Sequence, residues 1–202
     1  MPFESMPRAG LKECNWTPVH RQTIPHTMGG DSHAIELGRS YWTFTATYQN
    51  LTDAEHRALS AFINRRKGAV TPFRASRPDK GAPLAITASQ TPTLSIVSGS
   101  TLRITTTGGL MSEGDMVAYT DSTAARIIGE IDEITNTGAN YVDCTLLPGA
   151  RAPGATPAAQ IFNAEGIFRL IPGSVRGSEP HDHRRSISFE ARQVEKPITE
   201  PA

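Results

Sequence analysis

Residues 41–75 read YWTFTATYQNLTDAEHRALSAFINRRKGAVTPFRA, and they carry the strongest structural signals in the chain. From Tyr41 to Tyr48, Trp42, Phe44, Ala46 and Tyr48 alternate with Tyr41, Thr43, Thr45 and Thr47. Successive side chains of an extended chain point to opposite faces, so this period of two predicts a half-buried strand. A helix is predicted next, over residues 52–67. Thr52 and Glu55 have the spacing of a capping box, in which each side chain satisfies the other's backbone N–H. Asp53 and Glu55 stand at the positive end of the helix dipole, and Arg65, Arg66 and Lys67 at the negative end. Gly68 is placed for a left-handed C′ conformation. Ala58, Leu59, Phe62 and Ile63 form one apolar stripe. Val70–Ala75 then reads as a strand, with Pro72 favouring an edge or a bulge.

Outward from this block the texture changes twice. PDKGAP at 78–83 is a turn-rich junction. Beyond it come short β-like runs without helical period: Leu84–Ala88, Leu94–Val97, Thr101–Thr106, Asp115–Tyr119, Arg126–Ile131, Tyr141–Leu147 and Gln160–Phe162. Strands of this length and spacing suggest a small barrel or sandwich. Pro148–Pro157 reads as a loop. Aromatic, alternating strands return at Ile167–Ile171 and Ser186–Arg192, separated by a polar loop over 172–184. The expected fold is therefore mainly β. Residues 1–82 and 163–195 form a discontinuous β-sandwich carrying the 52–67 helix. Residues 83–162 are an inserted small β-barrel or β-sandwich, and 196–202 a flexible tail.

Composition bounds function. Among 202 residues, 20 Lys and Arg balance 20 Asp and Glu, which argues against a dense basic surface that grips nucleic acid. The 22 Thr, 17 Gly and 15 Pro argue against a helical bundle as the main architecture. Cys14 and Cys144 lie far apart and have no zinc spacing, so they read as small buried or half-buried residues. The start, MPFESMPRAG, has no apolar core, so no signal peptide is expected. No stretch approaches the apolar length of a membrane span, and a soluble protein made in a cytoplasm is expected.

No catalytic pattern emerges. His181-Asp182-His183 could offer two imidazoles and a carboxylate to a metal, but i,i+2 histidines need further ligands nearby. His20, His26 and His33 have no metalloprotease spacing. There is no nucleophile elbow around a serine and no phosphate-cradling glycine loop. Asp132 and Glu133 are adjacent, which on a regular strand sends them to opposite faces. The densest positive stretch is Arg65-Arg66-Lys67, followed by Arg74, Arg77 and Lys80. Part of it compensates the helix dipole, and the rest could face an acidic partner surface. Tyr119, Tyr141 and Arg151 are possible partner or glycan contacts. These features favour a structural or binding protein, with no catalytic residue, metal or cofactor.

The 38–78 block resembles the strand–helix–strand pattern of tail proteins of long-tailed bacteriophages, at Trp42, Phe44, Leu51, Glu55, Leu59, Phe62, Gly68 and Phe73. Gly109-Leu110, Gly114-Asp115 and Leu147-Pro148 with Arg151 are similar to a central segment of such proteins. The chain departs from it at LPGAR. Gly166-Ile167-Phe168 and Ser186–Ala191 resemble their closing strands. The resemblance, over about 11–192, is to the distal tail or tail-tip (baseplate adaptor) family. It implies a tail-tube-like sandwich and a homo-oligomeric, typically hexameric ring joining the tail tube protein to the tail-tip hub protein. DNA would pass through the lumen without specific binding. The implied location is the virion tail, assembled in the host cytoplasm, without membrane insertion. The inserted domain would take the place of the extra outer domain of such proteins, where a host surface glycan is a possible ligand.

Overall fold

The structure, a computed structural model, describes residues 3–23, 35–86, 90–154, 159–178 and 185–194. Its strands are β1 (Leu11–Thr23), β2 (Ile35–Leu51), β3 (Phe73–Ser76), β4 (Thr93–Ser98), β5 (Thr101–Thr105), β6 (Met116–Thr120), β7 (Arg126–Thr137), β8 (Tyr141–Leu147), β9 (Glu165–Leu170), β10 (Arg176–Ser178) and β11 (Arg185–Gln193). One α-helix, α1 (Asp53–Arg65), follows β2. The protein is mainly β, with two antiparallel sheets.

The first sheet runs β1-β2-β11-β9-β3, with β10 also paired to β11. It is built from both ends of the chain. The aromatic alternation decides which face is inner: Trp42, Phe44, Ala46 and Tyr48 are all buried. β11 repeats the pattern with Ile187, Phe189 and Ala191 buried. Phe44 is the hub, with its ring centroid 5.1 Å from Trp16, 5.0 Å from Phe168, and 6.3 Å from both Phe73 and Phe189. α1 lays Leu59 and Phe62 on this core, Phe62 meeting Phe73 edge-on at 5.4 Å. Its capping box forms in both directions, because Thr52 precedes the helix in extended conformation and Glu55 reaches back.

The second sheet runs β4-β5-β8-β7-β6. Three of its pairings join strands adjacent in sequence, and β5 with β8 closes the set. β6 is buried on both faces. Met116 and Ala118, with Ile128 from β7, belong to the first core. Val117 and Tyr119, with Ile127 and Ile131, belong to the second. The β6–β7 hairpin is thus a wall shared by two cores. A Cβ on Gly166 of β9 would lie 2.6 Å from the Ile128 side chain, so this close approach requires glycine.

Several expectations change. β1 carries no strand signal in the sequence: only Trp16 on it is buried, so no alternation marks it. Ala58 is exposed and lies off the helix's buried face. The first left-handed residue after α1 is Lys67 (φ 47°), one before Gly68 (φ 67°). The strand expected from Val70 begins at Phe73, and Val70 is 68% exposed. No strand forms over 84–86, where Leu84 is 85% exposed; residues 87–88 lie outside the described set. Gln160 makes one bridge to Ala118 instead of a strand over 160–162. β7 continues past Ile131 to Thr137 through two register shifts. The first falls between Ile131 and Glu133, and Asp132 and Glu133 are both exposed instead of alternating. The polar stretch 172–184 contains β10. His26, His33, His181, Asp182, His183 and the 196–202 tail lie outside the described residues.

Candidate assembly surfaces

β1 and β2 outrun their own sheet. β2 pairs with β11 only from Thr43 to Leu51, whereas its pairing with β1 runs back to Ile35. Residues 35–42 of β2 and 18–23 of β1 therefore form a two-stranded arm. Its base is fastened in three ways. The Trp42 N–H donates to Gln193 Oε1 at 3.0 Å. The guanidiniums of Arg192 and Arg21 lie 4.3 and 5.0 Å from the Tyr41 ring centroid. A ring nitrogen of His20 lies 3.1 Å from Ser40 Oγ.

Sheet edges differ in how they are covered. The outer edge of β3 is taken by the N-terminal segment: Arg74 N–H donates to Glu4 O at 3.0 Å and Met6 N–H to Arg74 O at 2.8 Å. β6 exchanges two hydrogen bonds between Ala118 and Gln160, at 2.9 and 2.8 Å. Among the described residues, β1 and β4 have no strand on their outer sides. β4, TLSIVS, is uncharged and exposes Ile96 and Val97. Open edges of this kind are templates for pairing with another chain.

The residues singled out from sequence are placed as follows. Tyr119 is wholly buried, which removes it from any contact surface. Its hydroxyl donates to Arg151 O at 2.9 Å and accepts from Arg151 N–H at 2.8 Å, and burial pushes its pKa up to about 12. The Arg151 guanidinium reaches Asp121 at 3.4 Å, so the residue fastens its loop to β6. Tyr141 is half-buried beneath Arg103, whose guanidinium lies 4.0 Å from the ring centroid. In the basic cluster, Arg66 is only 4% exposed. It donates to Phe62 O at 3.2 Å and Pro72 O at 3.0 Å, and pairs with Glu4. Arg66 thus braces the turn after α1 and is not an interface cation. Arg65 binds Glu4 at 2.6 Å from an exposed position, and Lys67 is exposed. Arg77 and Lys80 both reach Glu130, each at 2.6 Å, tying the turn before the second sheet to β7.

No protein-family model matches the chain, and no curated protein matches it.

No group of three or more metal-ligating side chains occurs among the described residues, and no described helix is long and apolar enough to cross a membrane. Burial raises the pKa of both cysteines, Cys144 to about 12, which disfavours the thiolate that nucleophilic chemistry needs.

Two aspartates give the fold an acid dependence. Burial alone would raise Asp121, but donors from Thr123, Ala125 and Arg151 outweigh it and hold its pKa low. Hydrogen bonds from Arg103, at 2.6 and 2.8 Å, lower Asp143. Folded pKa values below the unfolded ones mean that this stabilisation is complete above about pH 4 and disappears as pH falls through the folded values. Urea midpoints should hold steady down to about pH 4 and drop below it, with a shallower drop in Asp143→Asn. An equally steep drop in that variant would show that the Arg103 pair is not responsible.

Sequence reasoning missed the arm and the bracket around Asp121. The arm's outer strand carries little apolar signal. Asp121 and Arg151 meet only because β6 and the 148–152 loop are adjacent in space.

Proposed function

We propose that this chain is a structural component of a long-tailed bacteriophage tail. It is a distal tail or tail-tip adaptor whose copies form a ring, typically of six, between tail tube and tail-tip hub. In this reading 1–82 with 163–195 is the tail-tube-like unit and 83–162 the outer one, and no residue is catalytic. The observation that carries the reading is the two-stranded arm of 18–23 and 35–42, beside a β1 edge on which no strand lies among the described residues. A two-stranded ribbon is marginally stable alone in water. A neighbouring subunit in a ring supplies the contacts that the arm's own sheet does not, through two different faces that close by rotation. The balance of charges fits a conduit that DNA traverses without being held, since each phosphate contact retards passage.

The alternative, a glycan- or receptor-binding module acting through 83–162, loses Tyr119 to the core. Its other two residues, Tyr141 and Arg151, are engaged by Arg103 and Asp121. Native mass spectrometry and electron microscopy of the purified chain test the ring. Closed rings of six support the reading, and a strictly monomeric protein at high concentration overturns it.

A further inference from the structure

The edges of the two sheets differ in how they resist pairing with another chain. β3 is covered by the N-terminal segment, and β6 exchanges hydrogen bonds with Gln160. β1 carries Lys12, Glu13, Pro18 and Arg21, and its pairing with β2 shifts register at three places. Charge, proline and irregular register all hinder strand addition. β4 has neither charge nor proline. Its single register shift falls at the turn end, between Ile96 and Ser98, so 93–96 is regular. Apart from the ladder to β5, the backbone of residues 93–98 makes no hydrogen bond among the described residues.

The side chains narrow what fits this edge. Leu94 and Ile96 stand opposite Ile104 and Leu102, both wholly buried in the second core. Leu94 is buried with them, but Ile96 is 39% exposed and Val97 47%. The apolar row of the core face therefore runs out to the sheet edge. Ser95 lies on the other face, opposite Arg103. Arg103 is held by Asp143 through hydrogen bonds of 2.6 and 2.8 Å, so its charge is already paired. An uncharged strand is compatible with its own copy, because a charge at its centre would meet itself across a twofold axis. An antiparallel pair centred on Ser95 sets Leu94 of each chain opposite Ile96 of the other. Directly opposed residues share a face, so this register covers each Ile96 with an apolar side chain.

We propose that β4 is a self-association edge, pairing antiparallel with β4 of a second copy about Ser95 and joining the two five-stranded sheets into one. Each β4 has one side left to pair, so the contact is identical on both chains and closes at two. The pairing does not depend on the ring proposed above, and links single chains or whole rings alike. Two six-residue strands are small beside the ~1,200 Å² of a stable interface, so the association depends on concentration.

Sedimentation velocity of the full chain over rising concentration tests the pairing. Ser95→Lys sets like charges face to face and should halve the mass of the assembly reached at high concentration. Thr137→Lys, a similar exchange at an exposed position of β7, should leave that mass unchanged. Both variants should keep the urea midpoint of the unsubstituted chain. Ser95→Cys should give covalent pairs with a short bis-maleimide, well above the unsubstituted chain, and Thr137→Cys should not. Rings whose mass Ser95→Lys leaves unchanged overturn the pairing and spare the ring. Pairs that never build a ring support the pairing and overturn the ring. A strictly monomeric chain, a fall from six chains to one in Ser95→Lys, or equal halving in Thr137→Lys overturns the pairing.

Discussion

Gly166→Val is expected to destabilise the protein by about 2–3 kcal/mol, the usual cost of forcing extra carbon into a filled core. Gly166 sits on β9, where an added Cβ would lie 2.6 Å from Ile128 Cγ2 and 2.9 Å from Phe168 Cε2. Neither neighbour can yield easily. Ile128 is wholly buried in the wall between the sheets, and Phe168 is wedged between Trp16 and Phe44, 5.0 Å from each. Urea denaturation should show a lower midpoint at unchanged slope. Ile128→Ala removes the group that blocks the valine, so the double variant should be more stable than the two single losses predict, by at least ~1 kcal/mol. Simple additivity would mean that β9 and β7 are not in tight contact. The same wall predicts that an excised 83–162 fragment exposes Met116, Ala118 and Ile128 to water and self-associates.

Phe44→Ala should cost about 4 kcal/mol, within the range for truncating a fully buried aromatic. The ring touches four others drawn from β1, β3, β9 and β11. Its removal leaves a cavity that β-strands on a fixed hydrogen-bond ladder cannot collapse to fill. Thr45→Ala, on the exposed face of the same strand, should change stability by no more than ~0.5 kcal/mol. Comparable losses from both substitutions would contradict the assignment of faces.

That assignment was legible in the sequence because it depends on one strand at a time. Residues 41–48 alternate, and the alternation alone separates Phe44 from Thr45. The start of α1 was legible for the same reason: Thr52 and Glu55 satisfy each other's backbone groups within one turn. β11 could be read from Ile187, Phe189 and Ala191 without knowing its neighbours. The end of α1 was less legible: Gly68 adopts the expected left-handed conformation, but Lys67 enters it one residue earlier, which cap chemistry did not point to.

The candidate surfaces were far less legible. Arg66 read as one of three basic residues at a helix end. Its burial is decided by Glu4 and by the Pro72 carbonyl, which arrive from outside the helix. Tyr119 read as an available ring, but β6 lies between two cores and exposes neither face. That β4 is an edge strand follows from the order β4-β5-β8-β7-β6, which no local pattern encodes.

By itself the sequence determined the mainly β class, the inward face of its aromatic strands, the capped start of its helix and its balance of charge. Those properties arise from periodicity, capping and totals, which act between neighbours or sum over the chain. Only the tertiary structure decided that residues 11–23 are a strand, that β2 outruns β11 to leave an arm, and that one hairpin walls two cores. Each of these rests on pairing or packing between segments distant in sequence, where a side chain's burial is set by what arrives opposite it.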